Sequence, residues 1–142
     1  MITSSLLSSI LVASGAGVIL ALGAAHLLLT FRGNRLHPRD PELIALLDEA
    51  SPRISSETTM WRAWVGFNAS HSIGAILFGL HYGYLALAHP TLLFGSPYLL
   101  AVGGAVLVGY VVLAKRYWFS APLRGIVLST VLYFTGMVTS WL

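Results

Sequence analysis

Residues 6–31 read LLSSILVASGAGVILALGAAHLLLTF, an apolar run without one Asp, Glu, Lys or Arg. At about 1.5 Å per helical residue, such a run crosses the roughly 30 Å hydrocarbon core of a bilayer. Three further stretches are strongly apolar, at about 61–88, 97–114 and 122–142, with Arg62 and Arg124 near the starts of the first and last of these. The second is longer than it needs to be, which predicts a tilt or a protruding end. Composition points the same way. The chain is 56% hydrophobic and only 9% charged, where an ordinary soluble domain has about 25% charged residues, and its mean hydropathy is +0.80. A soluble domain of this size could not cover so much apolar surface. The expected fold is all-α: an integral membrane four-helix bundle forming one transmembrane domain over residues 1–142, with the lipid bilayer as its first partner.

Charge placement sets the expected direction. The acids Asp40, Glu42, Asp48, Glu49 and Glu57 all lie in the connection 32–60. That connection also carries Arg32, Arg35, Arg39 and Arg53, with Arg62 at its far edge, and the third connection carries Lys115, Arg116 and Arg124. The segment before the first span, the second connection and the segment after the fourth span carry no base. Basic loops stay inside, so both termini are expected outside and the long loop in the cytoplasm, in a multi-pass bacterial inner-membrane protein. The net charge of +3 then serves topology and gives no reason to expect nucleic acid. No positive segment precedes the first span, so it reads as a retained helix and not a cleaved signal. Trp61, Trp64 and Trp118 mark the inner edge and Trp141 the outer one. With no cysteine, disulfides, thiolate metal sites and cysteine nucleophiles are excluded.

Pro38-Arg39-Asp40-Pro41-Glu42 reads as a helix start, with Asp40 as N-cap and Pro41 at the first helical position. Leu43, Ile44, Leu46 and Leu47 follow, and Ser51-Pro52 stops the run. This predicts a short amphipathic cytoplasmic helix, lying on the bilayer, capping the bundle or docking another protein. Ser55 or Ser56 offers an N-cap for the second span. Helix packing in lipid rests on small residues at four-residue spacing. Candidate ridges are Ser9, Ala13, Gly17, Ala21 and Ala25; Gly66, Ser70 and Gly74; Ala75, Gly79 and Gly83; and Ala101, Ala105 and Gly109.

The polar residues of the second span are the candidate site. Trp64, Asn68, His71, Ala75, Phe78 and Tyr82 share one helical stripe, and His71 falls near the midplane. A polar side chain at that depth must find a partner. His71 and Asn68 serve either as hydrogen-bond glue between helices or as part of a ligand or cofactor site. Haem is the cofactor to weigh first, since imidazole is a common axial ligand and a four-helix bundle a common host. A second histidine would be needed; His26 is the nearest in depth, about 6 Å shallower. Spans three and four have no histidine, but Tyr133, on a face with Ser129, Gly136 and Ser140, falls at the depth of His71. The candidate cofactor-binding residues are thus His71, Asn68, His26 and Tyr133. No catalytic set and no metal site is expected, because there is no HExxH and no carboxylate inside any span. His37-Pro38 and His89-Pro90 read as turn chemistry, with His89 also placed to cap the second span.

The segment TMWRAWVGFNASHS (residues 59–72), with Phe78-Gly79 after it, Arg39-Asp40-Pro41 before it and Arg116-Tyr117-Trp118-Phe119 further on, resembles a small bacterial family of uncharacterised four-span membrane proteins. The resemblance implies fold and location and no activity. The functional expectation is an accessory or structural subunit of a larger inner-membrane complex, respiratory or photosynthetic, associated with other membrane subunits. The alternatives are a small-ligand or haem-like cofactor binder centred on His71 and, third, a membrane enzyme acting on a lipid or quinone.

Overall fold

The computed structural model describes residues 2–142, and the described residues form helices and connections without a strand. In chain order these are α1 (Ile2–Phe31), α2 (Pro41–Glu49), α3 (Met60–Ala88), α4 (Pro90–Phe94), α5 (Pro97–Tyr117) and α6 (Ser120–Thr139). Three are long and apolar enough to cross a membrane: Leu6–Phe31, Pro97–Tyr117 and Ser120–Thr139. At 29 residues α3 has the length, but Asn68, His71 and His81 dilute its apolar content and it falls outside that set.

Local chemistry explains the helix boundaries. Gly33 has φ +80°, the left-handed conformation that ends helices and that glycine adopts at least cost; it follows Arg32, whose N–H still donates to the Leu28 carbonyl of α1. The expected amphipathic helix forms as α2, and the Asp40 carboxylate accepts from the Glu42 N–H at 3.0 Å. The N-cap of α3 differs from expectation. Thr59 holds it, its hydroxyl accepting from the Arg62 N–H at 3.2 Å, while Ser55 accepts from Glu57 N–H in the turn before. Ser55 and Ser56 lie too far upstream to reach the first helical amides. Ser96 caps α5 by accepting from Leu99 N–H, with Pro97 at the first position. The short α4 was not expected. His89 closes α3 through its backbone N–H, which donates to the Leu85 carbonyl, and the chain turns again at Pro90.

The chain divides into two compact units, and α1 and α3 contribute to both. The first unit takes residues up to Leu22 together with Ala75–Leu142. Here the early part of α1 meets α3 at Gly79, where an added Cβ would lie 2.7 Å from the Ala16 carbonyl oxygen. It meets α6 at Gly15, whose carbonyl accepts from the Ser129 hydroxyl at 2.8 Å, and at Gly136, packed on Ser8 and Val12. On α5, the carbonyls of Leu99 and Leu100 accept from the hydroxyls of Tyr82 on α3 and Tyr133 on α6. Each of the four segments therefore touches at least two others. The core comprises Val12, Ala16, Ile19, Phe78, Leu107 and their neighbours.

Of the expected small-residue ridges, Ala75–Gly79–Gly83 lies on a packed face. The α5 ridge does not: Ala101, Ala105 and Gly109 are exposed, and Gly103, Gly104, Leu107 and Ala114 pack instead. On α1 the ridge packs only at its start: Ser9 is buried and Ala13 lies against the core, while Gly17, Ala21 and Ala25 are exposed and Ser8, Val12, Ala16 and Ile19 are buried. Small residues permit close approach but do not by themselves choose the face; large apolar neighbours at the same register do.

The second unit, Gly23–Gly74, holds the end of α1, the long connection with α2, and the beginning of α3. The connection is pinned to α3 at several points. The Trp64 indole N–H donates to the Leu36 carbonyl at 3.3 Å, and the His37 ring packs edge-on against Trp61 at 4.9 Å. The Met60 N–H donates to the Ala50 carbonyl at 2.8 Å, and the Thr59 hydroxyl to the Asp48 carboxylate at 3.4 Å. No residue of α2 is buried, which leaves Leu43 and Leu46 exposed.

Candidate functional site

Within the second unit three of the four expected site residues come together: His26 from α1, and Asn68 and His71 from α3. Asn68 is buried at 8% relative exposure, and both histidines are half-buried. The Asn68 amide is clamped at both ends. Its Nδ2 donates to the Trp64 carbonyl one turn back at 2.8 Å, a group that can only accept. Its oxygen therefore faces the other way and accepts from His26 Nε2 at 3.0 Å. An amide oxygen offers no proton, so His26 Nε2 is the donor in this bond. The His71 ring lies beside it, the two ring centres 5.6 Å apart and the planes at 89°.

Neighbouring hydroxyls brace this cluster. Thr30 donates to the His26 carbonyl at 2.8 Å, and Ser72 donates to the Asn68 carbonyl at 2.8 Å. No protein-family model, curated protein or solved structure matches the chain. What the site can do is therefore judged from its own geometry. Asn68 spends both ends of its amide on Trp64 and His26, so ligand chemistry at this cluster would fall to the imidazoles. Among the described residues no group of three His, Cys, Asp or Glu side chains gathers in one place.

Tyr133 belongs to the first unit. Its hydroxyl donates to the Leu100 carbonyl at 3.0 Å, and its ring packs against Tyr82 at 5.8 Å. The two tyrosines lie over Gly103, where an added Cβ would fall 2.6 Å from Tyr82 Cε1. This is a helix-packing contact in which aromatic rings sit on bare backbone. His81 is exposed beside Tyr82, and His89 reaches the Tyr84 hydroxyl at 3.0 Å. Sequence reasoning missed the role of Trp64, whose carbonyl orients Asn68. The available signal was the four-residue step from Trp64 to Asn68, which places that carbonyl under the amide. Sequence reasoning placed His26 and His71 in one candidate site at depths about 6 Å apart, and the helices bring the two rings to 5.6 Å between centres.

Proposed function

We propose that the protein is a four-span bacterial inner-membrane protein, both termini outside, acting as an accessory or structural subunit of a larger respiratory or photosynthetic complex. Membership of the four-span family that residues 59–72 resemble belongs to the same proposal. The observation that supports it is how the buried polar groups are used. Ser129 bonds the Gly15 carbonyl, Tyr82 and Tyr133 bond α5 carbonyls, and Asn68 joins α1 to α3. Among the described residues no buried side-chain nitrogen or oxygen lacks a partner. Polar chemistry spent on holding helices leaves apolar faces as the surface on offer. On α5 and α6 these faces include Val102, Val106, Val112, Val127, Leu128 and Val131, all exposed. Such faces suit lipid and the helices of other subunits alike. Gentle detergent extraction followed by native gels tests the proposal. The protein is expected to migrate with a larger assembly; migration only as a free monomer or homodimer overturns it.

The second reading is a ligand or cofactor binder at His71, Asn68 and His26, favoured by the contact between the two imidazoles. For haem, an absorption spectrum of the purified protein decides, since a bound haem gives a Soret band.

A further inference from the structure

We propose that the ends of α5 and α6 that meet at Trp118-Phe119 bind the phosphate of an anionic phospholipid headgroup through Lys115, Arg116 and Arg124. The distribution of charge carries the inference. In the first unit, residues 1–22 and 75–142, these three are the only charged side chains, and no Asp or Glu follows Glu57 in the chain. No carboxylate side chain of that unit can therefore pair with them. All three are exposed. Both helices are long and apolar enough to cross a membrane, and only Trp118 and Phe119 join the end of α5 to the start of α6. When both helices cross, so short a connection meets a bilayer surface, and the three bases stand level with the lipid headgroups. Tyr117 and Phe119 are exposed beside them.

Helix geometry gathers the charges. Lys115 and Arg116 occupy the last turn of α5, and Arg124 lies four residues into α6, about 6 Å along the axis from Ser120. Cα–Cβ bonds tilt toward the helix N-terminus. In α6 that direction leads out to the connection, so Arg124 reaches from its greater depth toward the surface, as long basic side chains near span ends do. In α5 it leads inward, away from the connection. Bases rooted at different depths thus lean toward one level. There Arg offers a fork of N–H donors that matches phosphate oxygens, and Lys a compact ammonium. The apolar surface beneath them suits acyl chains. Val112, one turn below Arg116, and Leu128, one turn below Arg124, are both exposed. A two-residue connection projects no loop into water for a soluble acidic partner, whereas a phospholipid meets the bases and the apolar faces together. The inference needs α5 and α6 to cross. It holds for either orientation of the chain and does not depend on the accessory-subunit proposal, so either can fail without the other.

The experiment uses delipidated full-length protein in detergent micelles, mixed with phosphatidylglycerol or with phosphatidylcholine of the same acyl chains and read by native mass spectrometry from ammonium acetate. The wild type is expected to retain phosphatidylglycerol at least about tenfold more tightly than phosphatidylcholine. Lys115→Gln, Arg116→Gln and Arg124→Gln should each lower that preference about two- to fivefold, and the three combined should abolish it. The control combination Arg35→Gln, Arg39→Gln, Arg53→Gln should keep it, because the connection 32–60 also holds all five acids. Should the combined α5–α6 variant lose its circular-dichroism helix signal, the three single variants decide. Equal retention of the two lipids by the wild type overturns the proposal, as does an unchanged preference in the α5–α6 variants or its loss in the control. Displacement of phosphatidylglycerol by millimolar ammonium phosphate at matched ionic strength also overturns it, because the bases would then serve a free anion.

Discussion

Asn68 is a residue whose amide has one permissible orientation, because a carbonyl takes its N–H₂ group and an imidazole N–H takes its oxygen. The bond to His26 joins α1 to α3 inside the second unit, and its worth is measurable. Interhelical hydrogen bonds in membrane proteins average about 0.6 kcal/mol and reach about 1.7 kcal/mol, because the unfolded chain in lipid also finds partners. A double-mutant cycle on Asn68→Leu and His26→Leu should therefore give a coupling in that range, read from denaturant unfolding in mixed micelles. Zero coupling would mean the two side chains do not bond in the folded protein. The position of Asn68 on the buried stripe was legible from helical periodicity. Its partner was not. Depth arithmetic put His26 about 6 Å shallower than His71, a gap tilt could partly absorb, and the rings lie 5.6 Å apart between centres. Depth alone also said nothing of what Tyr133 bonds: its hydroxyl serves the Leu100 carbonyl of α5.

At the scale of elements, glycine distinguishes a packing face from an open one. A Cβ on Gly79 would fall 2.6 Å from Leu20 Cβ, 2.7 Å from Ala16 O and 2.8 Å from Leu20 N. Two of these are backbone atoms that cannot rotate away, so α1 and α3 would have to separate. Gly79→Ala should destabilise by about 1–3 kcal/mol, the usual range for overpacking. Gly109→Ala is the control: nothing lies within 4 Å of its added Cβ, and the gain in helix propensity is up to about 1 kcal/mol. Unfolding both variants in the same micelle should move them in opposite directions, and a neutral Gly79→Ala would contradict the close α1–α3 contact. Three of the four expected spans and the Asp40 cap were readable because apolar length and capping chemistry are local properties. Which face of α5 packs was not, since the ridge of Ala101, Ala105 and Gly109 has the same spacing signature as a true contact face. The register of Leu100, Gly103, Gly104 and Leu107 wins because their neighbours Tyr82, Tyr133 and Phe134 fill the space above it.

At the scale of the whole molecule the question is which way the chain runs through the bilayer. Every Lys and Arg lies in the connection after α1, at the start of α3, or around the turn between α5 and α6. No basic residue lies between Arg62 and Lys115, and none before Arg32 or after Arg124. Basic residues near span ends are retained on the cytoplasmic side, and acids contribute little to that choice. The five acids that share the long connection therefore do not cancel its pull. If α3 crosses with the other three, the two basic connections lie on one side and both chain ends on the other. A periplasm-active reporter fused after Leu142 should then be active and one inserted near Pro52 inactive, with a cytoplasm-active reporter giving the reverse pattern. An odd number of crossings would place the two ends on opposite sides. A cytoplasmic residue 142 together with a cytoplasmic Pro52 would show that one of the later helices does not cross. A Pro52 found outside would overturn the orientation itself, and with it the placement of α2 on the inner face.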